Sequence, residues 1–176
     1  QGSALVITPE QCGYTGELAT SFIQKAIDTA AVKGGGTVLL SQGDYVSGTL
    51  VLRSGIRLEV ADGSRLLGSP HLTDYPEHIA RRRTVQDTNM GMHQSLIFAE
   101  GCENVSICGH GEINGQGHHF PGEETAHGTP GRPFLMRFLD CSNVHIKDIT
   151  LKDAACWMQN YLHCENLLME DIHVEN

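Results

Sequence analysis

The sequence predicts an all-β chain wound as a parallel β-helix, on three observations. A short motif recurs with strand-like residues around it, the remaining segments read as short strands between turns, and one amphipathic helix precedes them all. Cys102-Glu103-Asn104-Val105-Ser106-Ile107 returns as Cys141-Ser142-Asn143-Val144-His145-Ile146 and again as Cys164-Glu165-Asn166-Leu167-Leu168-Met169. The last two copies are 23 residues apart and the first two 39, one similar turn plus an insertion. A leucine-rich repeat shares the shorter period, but it needs a leucine consensus and a helical segment per repeat, and neither is visible.

Composition fits such a coil. Twenty glycines against six prolines, with 6% aromatics, suggest many tight turns. No window approaches the roughly 20 apolar residues of a membrane-spanning helix. A net charge of −9 without a basic stripe argues against nucleic acid as a partner.

The helix comes first in the chain. Phe22, Ile23, Ala26, Ile27, Ala30 and Ala31 share one helical face. Thr20 or Ser21 is placed to cap its start, and Gly34-Gly35-Gly36 ends it. Short runs rich in Val, Ile, Leu and Thr follow, the clearer early ones at 37–40, 49–52, 56–60 and 95–99. In a coil each turn lies about 4.8 Å from the last, so equivalent residues form columns. Asn104, Asn143 and Asn166 should stack at one corner through their amides, with Cys102, Cys141 and Cys164 beside them. Val105, Val144 and Leu167, with Ile107, Ile146 and Met169, should line the core. The helix should cover the exposed first turn. No equivalent cap follows the final strand, so the expectation is one domain over 1–176, truncated at its C-terminal end. Loop insertions fall near 69–94 and 115–133. The repetition of three of the six cysteines favours buried free thiols over a disulfide framework, although an even count admits both.

Several segments, taken in order, resemble glycoside hydrolase family 28, the polygalacturonase and rhamnogalacturonase group of the pectin lyase-like superfamily. They are Ile23-Gln24-Lys25-Ala26-Ile27-Asp28, Gly34-Gly35-Gly36-Thr37-Val38, Gly43-Asp44-Tyr45, Gly48-Thr49-Leu50, Gly111-Glu112-Ile113-Asn114-Gly115-Gln116-Gly117 and Cys164-Glu165-Asn166. The resemblance implies a right-handed coil and hydrolysis of pectic glycosidic bonds with inversion, without a metal or other cofactor. It implies a pectic polysaccharide or oligosaccharide as partner. A secreted, periplasmic or cell-surface location follows, because polymeric pectin lies outside cells.

Inversion needs one carboxylic acid and one carboxylate base about 6.5–9.5 Å apart, with water between them. The family draws these from an Asn-Thr-Asp type motif and an Asp-Asp pair, assisted by Gly-His-Gly and Arg-Ile-Lys. Asn-Thr-Asp, Asp-Asp and Arg-Ile-Lys are absent from 1–176. No catalytic residue is therefore assigned, and the acids are expected beyond Asn176. Gly109-His110-Gly111 spells the histidine motif but lies too early, and reads as a glycine turn. For substrate contact the candidates are Trp157, Gln159 and Tyr161, on the strand before the expected acidic motif, and Arg82 within Arg81-Arg82-Arg83. An aromatic ring can stack on a sugar, and an arginine fork suits a uronate carboxylate. Asn160 and His163 accompany that strand. His118, His119 and His127, with Glu123 and Glu124, sit in a glycine- and proline-rich loop that lacks the ordered ligand spacing of a zinc site. Two other functions stay open: a lyase or epimerase on the same coil, and a non-catalytic carbohydrate-binding or structural solenoid. Self-association, or contact with a C-terminal continuation, is expected at the open end.

Overall fold

The computed structural model describes residues 5–79, 81, 93–120, 133–154 and 159–175. Over these residues the chain is a parallel β-helix preceded by one α-helix, α1 (Thr20–Val32). The first sheet stacks β1 (Val6–Ile7), β2 (Gly36–Leu40), β5 (Ile56–Val60), β8 (Glu103–Cys108), β11 (Ser142–Lys147) and β14 (Glu165–Glu170). The second stacks β3 (Asp44–Ser47), β6 (Arg65–Gly68), β9 (Glu112–Asn114), β12 (Thr150–Lys152) and β15 (His173–Glu175). The third stacks β4 (Leu50–Val51), β7 (Ser95–Glu100), β10 (Phe134–Leu139) and β13 (Gln159–Leu162). From β2 onward the chain visits the three sheets in rotation, and every strand pairing is parallel.

The repeat in the sequence is the register of the coil. Ser142 pairs with Glu103 on one side and Glu165 on the other, the 39- and 23-residue offsets of the motif. Inward-facing residues form continuous columns: Ile7, Val38, Leu58, Ile107, Ile146 and Met169 are successive partners in the first sheet. Tyr45, Leu66, Ile113, Leu151 and Val174 are partners in the second. The middle of each column is sealed, with Ile107, Ile146, Ile113 and Leu151 at 0% exposure. At the last turn Met169 is 40% and Val174 52% exposed, because no further turn lies over them among the described residues.

The corners are set by left-handed residues. Asn104, Asn143 and Asn166 have φ of 59°, 56° and 54°. Asparagine tolerates this region better than other residues with a Cβ, because its short amide bonds locally. Here it bonds to its neighbours in the column. Asn143 Nδ2 donates to Asn104 Oδ1 at 3.2 Å, and Asn166 Nδ2 to Asn143 Oδ1 at 3.1 Å. Register extends this column back to Gly55 and Gly35, also at positive φ. A Cβ on Gly35 would sit 2.7 Å from the Gly55 carbonyl oxygen, so only glycine fits where these first turns approach. Asn143→Ala should cost about 2 kcal/mol, from the left-handed penalty and two lost exposed amide bonds. Asn143→Gly should cost less, since glycine keeps the conformation; urea unfolding of both variants checks the order.

α1 covers the first turn as expected, burying Ile23, Ala26, Ile27 and Ala30. Its apolar face meets the end of the coil, and a side-chain amide completes the sheet edge. Val51 N–H donates to Gln24 Oε1 at 2.8 Å, and Gln24 Nε2 donates to Val51 O at 2.9 Å. Gln24 thus stands in for a missing strand beside β4 and blunts an edge that could pair with another chain. The expected hydroxyl cap is absent: the N-cap is Ala19, with no side-chain bond. Thr20 Oγ1 instead accepts from Gly48 N–H at 2.7 Å and from Ser47 Oγ at 3.3 Å, fastening the helix to the turn after β3. The tertiary bond outcompetes the local one. Gly34 and Gly35, at φ 93° and 117°, close the helix, and Gly36 already belongs to β2.

Cys12, Cys102, Cys108, Cys141 and Cys164 are free thiols. Cys156 lies outside the described residues.

Candidate substrate face

The chain leaves the coil repeatedly at one corner. Residues 69–94 separate β6 from β7, 115–133 separate β9 from β10, and 153–158 separate β12 from β13, all between the second and third sheets. In the first turn only Gly48 and Thr49 make this crossing. The described bases of the insertions therefore stack beside the third sheet. They lie close because glycines stand there. A Cβ on Gly68 would be 2.8 Å from the Gly115 oxygen, and one on Gly115 2.8 Å from the Asp153 oxygen.

Hydrogen bonds tie the stack together. Gln116 Nε2 donates to Gly68 O at 2.6 Å, and Gly117 N–H to Asp153 O at 2.8 Å. Tyr75 Oη donates to Ser69 O at 2.7 Å, and the Tyr75 ring meets Phe120 edge-on with centroids 6.0 Å apart. Burial pushes the Tyr75 phenol well above its ordinary range, so it remains a donor. His118 Nδ1 lies 2.6 Å from Asp153 Oδ2, with the His119 ring 4.0 Å away. His118 thus has a carboxylate partner in the next insertion. His127, Glu123 and Glu124 lie outside the described residues.

The outer face of the third sheet carries a different chemistry from its inner face. Ile97, Ala99, Met136 and Phe138 point into the core, while Phe98 and Leu139 form a separate apolar cluster with Val51 and Leu162. In register with Phe98 stand Arg137 and Asn160. Arg137 is 1% exposed although it lies in the otherwise apolar Phe134–Leu139. Its Cζ sits 5.2 Å above the Phe98 ring centroid, and its Nη1 donates to His78 O at 3.0 Å. The His78 ring stacks on Phe98 with centroids 4.7 Å apart. Arg137 and Phe98 together therefore hold the segment around His78 down on the sheet. Asn160, at 8% exposure, is the next group along this column.

Burial holds His78 below the ordinary histidine range, and the Arg137 charge adds to this against a raising hydrogen bond that the His78 ring donates to the Pro76 carbonyl. A histidine depressed in the folded state takes up its proton first in the unfolded chain. Its contribution to stability is therefore complete above about pH 6.5 and is lost as pH falls below that. Acid titration followed by NMR of the Phe98 and His78 rings should show this packing loosen on the acid side, and His78→Gln should flatten the response.

Of the sequence candidates, Trp157 and Arg82 lie outside the described residues. Gln159 and Tyr161 are brought together on β13 but face inward. Tyr161 stacks on Phe138 at 5.4 Å and packs against the main core, and its Oη donates to Gln159 Oε1 at 2.6 Å. Burial raises the Tyr161 phenol well above its usual range. The outward-facing residue of this strand's centre is Asn160. His163 takes a left-handed corner position at φ 54°. Arg81 is spent on Glu100: its N–H donates to Glu100 Oε2 at 2.6 Å and its Nη2 to Glu100 O at 3.2 Å. His110 sits at a different corner, between β8 and β9, 3.8 Å from Asp148 and largely exposed. Gly109, at φ 99°, makes the turn there. Sequence reasoning missed Arg137 and His78. The available signal was an arginine in the centre of an apolar six-residue strand, which has to be partnered to be buried.

Comparison with known proteins agrees with the coil. The chain is 25% identical over 149 residues to a protein named "Probable polygalacturonase" from Vitis vinifera, covering 81% of this chain and 30% of that protein. It is 32% identical over 121 residues to an exo-poly-alpha-D-galacturonosidase from Dickeya chrysanthemi, covering 64% of this chain and 20% of that protein. It thus spans less than a third of these relatives' lengths. In structure it resembles a hyperthermoactive exopolygalacturonase from Thermotoga maritima, with a TM-score of 0.79 and 21% identity, covering 99% of this chain and 47% of that one. The family model of the glycosyl hydrolases family 28 matches residues 59–176, well over half the chain, and the chain belongs to that family.

Proposed function

We propose that this chain forms the scaffold and one cleft wall of an enzyme that hydrolyses pectic polysaccharide, a galacturonan or rhamnogalacturonan. The observation that carries the reading is the stack of insertions at one corner beside the outer face of the third sheet, in a chain of this family. Insertions that all leave at one corner border the same side of the coil over successive turns, as a site for an extended polymer requires. Trp157 and Arg82 are the proposed sugar and carboxylate contacts, while Gln159 and Tyr161 fix β13 from within. The mechanism is inverting, using an acid and a base about 6.5–9.5 Å apart that residues outside 1–176 supply. The absence of Asn-Thr-Asp and Asp-Asp from 1–176 supports that assignment. The protein works where pectin is, in a secreted, periplasmic or surface location. The uncovered last turn is proposed to meet either further coil or another copy of the chain.

The test compares residues 1–176 with the longer protein containing them, on polygalacturonate, with and without chelator. The reading expects no reducing-sugar release from 1–176, and chelator-resistant release from the longer protein without an ultraviolet-absorbing unsaturated product. Chelator-sensitive release with that product would make it a lyase. Tight polymer binding without turnover in the longer protein would make it a binding module.

A further inference from the structure

We propose that Cys102 and Cys141 are a redox-modifiable pair that closes to a disulfide across two turns of the coil, with a small-molecule disulfide as oxidant. The two stand at the same position in successive turns. Ser142 N–H donates to Cys102 O, and the strands that follow them pair in register. Neighbouring strands lie about 4.8 Å apart. That falls inside the roughly 4.4–6.8 Å Cα separation a disulfide spans. Each sulfur adopts one repeated posture, within reach of the carbonyl two residues before it. Cys102 Sγ lies 3.5 Å from Glu100 O, Cys141 Sγ 3.4 Å from Leu139 O, and Cys164 Sγ 3.5 Å from Leu162 O. The sulfurs are thus aligned along the column, and bonding two of them costs only weak S–H···O contacts and a side-chain rotation.

The column is graded from end to end. Cys102 lines a surface cavity of about 400 Å³ with Ala31, Val51, Leu52, Arg53, Ser54 and Glu100. Cys141, at 2% exposure, lies behind it. A hydrogen bond from the Cys141 thiol, ahead of the Glu100 backbone, the Arg81 charge and Ser54, brings the Cys102 thiol down to about 7 against its burial. Cys141 is held up at about 11, chiefly because its proton serves Cys102. Cys164 is raised further by the same kind of bond to Cys141 and by burial. The nucleophile is therefore the thiol at the cavity, and the group that resolves the adduct lies directly behind it.

The chemistry balances with a disulfide RSSR entering the cavity. The Cys102 thiolate attacks one sulfur, forming a mixed disulfide and expelling RS⁻, which takes up a proton. Cys141 then gives up its proton and attacks the Cys102 sulfur, expelling the second RS⁻. Two cysteine thiols lose two protons and two electrons in total, and RSSR is reduced to two RSH. The product staples the third turn to the fourth and closes a loop that includes the 115–133 insertion.

Folded protein is incubated with oxidised glutathione across pH 6–9 and read by intact mass and peptide mapping. Expected is loss of the mass of two hydrogens, a Cys102–Cys141 cross-link, reversal by reductant, and a rate that rises through about pH 7. In Cys141→Ser the reaction should stop at a stable glutathione adduct on Cys102. Cys102→Ser should block the cross-link, and Cys164→Ser should leave it intact. Circular dichroism confirms that each variant is folded. A folded wild-type chain that keeps all its thiols reduced, or a bond mapped to Cys141–Cys164, overturns the proposal.

Discussion

Ile107→Ala is expected to lower the unfolding free energy by about 2–5 kcal/mol, the range for truncating a sealed aliphatic side chain. Ile107 lies between Leu58 and Ile146 in its column, and all three are at 0% exposure. The turns above and below are held at the sheet spacing by backbone bonds, so the cavity cannot collapse along the column. The same change at Met169, in register with Ile146 but 40% exposed, should cost much less. Paired urea titrations with unchanged slope would establish the contrast. Equal losses at both positions would mean that the last turn is as well covered as the middle.

The second large effect is at a turn. Gly109→Val should destabilise by about 2–5 kcal/mol, combining the left-handed penalty with a steric clash. Gly109 has φ of 99°, and a Cβ there would drive into the backbone of Val60 on the preceding turn. The neighbouring His110→Ala should be nearly neutral, because His110 is exposed and only loosely paired with Asp148. Thermal melts of the two variants separate a structural glycine turn from a functional histidine motif. A neutral Gly109→Val would mean that the turn does not pack on Val60.

The parts of the fold legible in the sequence were those that repeat. The Cys-x-Asn corner recurs because one backbone conformation, left-handed at the asparagine, must be made in every turn. The sequence thereby records the register of β8, β11 and β14. The helix was legible because its buried face has its own period. β1, β3 and β6 were not, since strands of two to four residues carry too little alternation to stand out. Thr20 misled because cap preference is local, whereas its hydroxyl answers to the turn after β3. Gln159 and Tyr161 show the matching limit for the candidate face. Their types suggest sugar contact, but which face they occupy depends on strand parity. A polar residue at an inward position can be satisfied by its neighbour, as the Tyr161–Gln159 bond shows. That the three insertions share a corner also needed the register, because nothing in their own composition reveals it.

The stacking of successive turns is tested most directly by through-hydrogen-bond NMR couplings between backbone amide nitrogens and carbonyl carbons. Couplings are expected from Ser142 N to the Cys102 carbonyl and from Glu165 N to the Cys141 carbonyl, both bonds being 2.9 Å long. Couplings that instead joined each motif to the strand next to it in sequence, as in antiparallel hairpins, would contradict the coil.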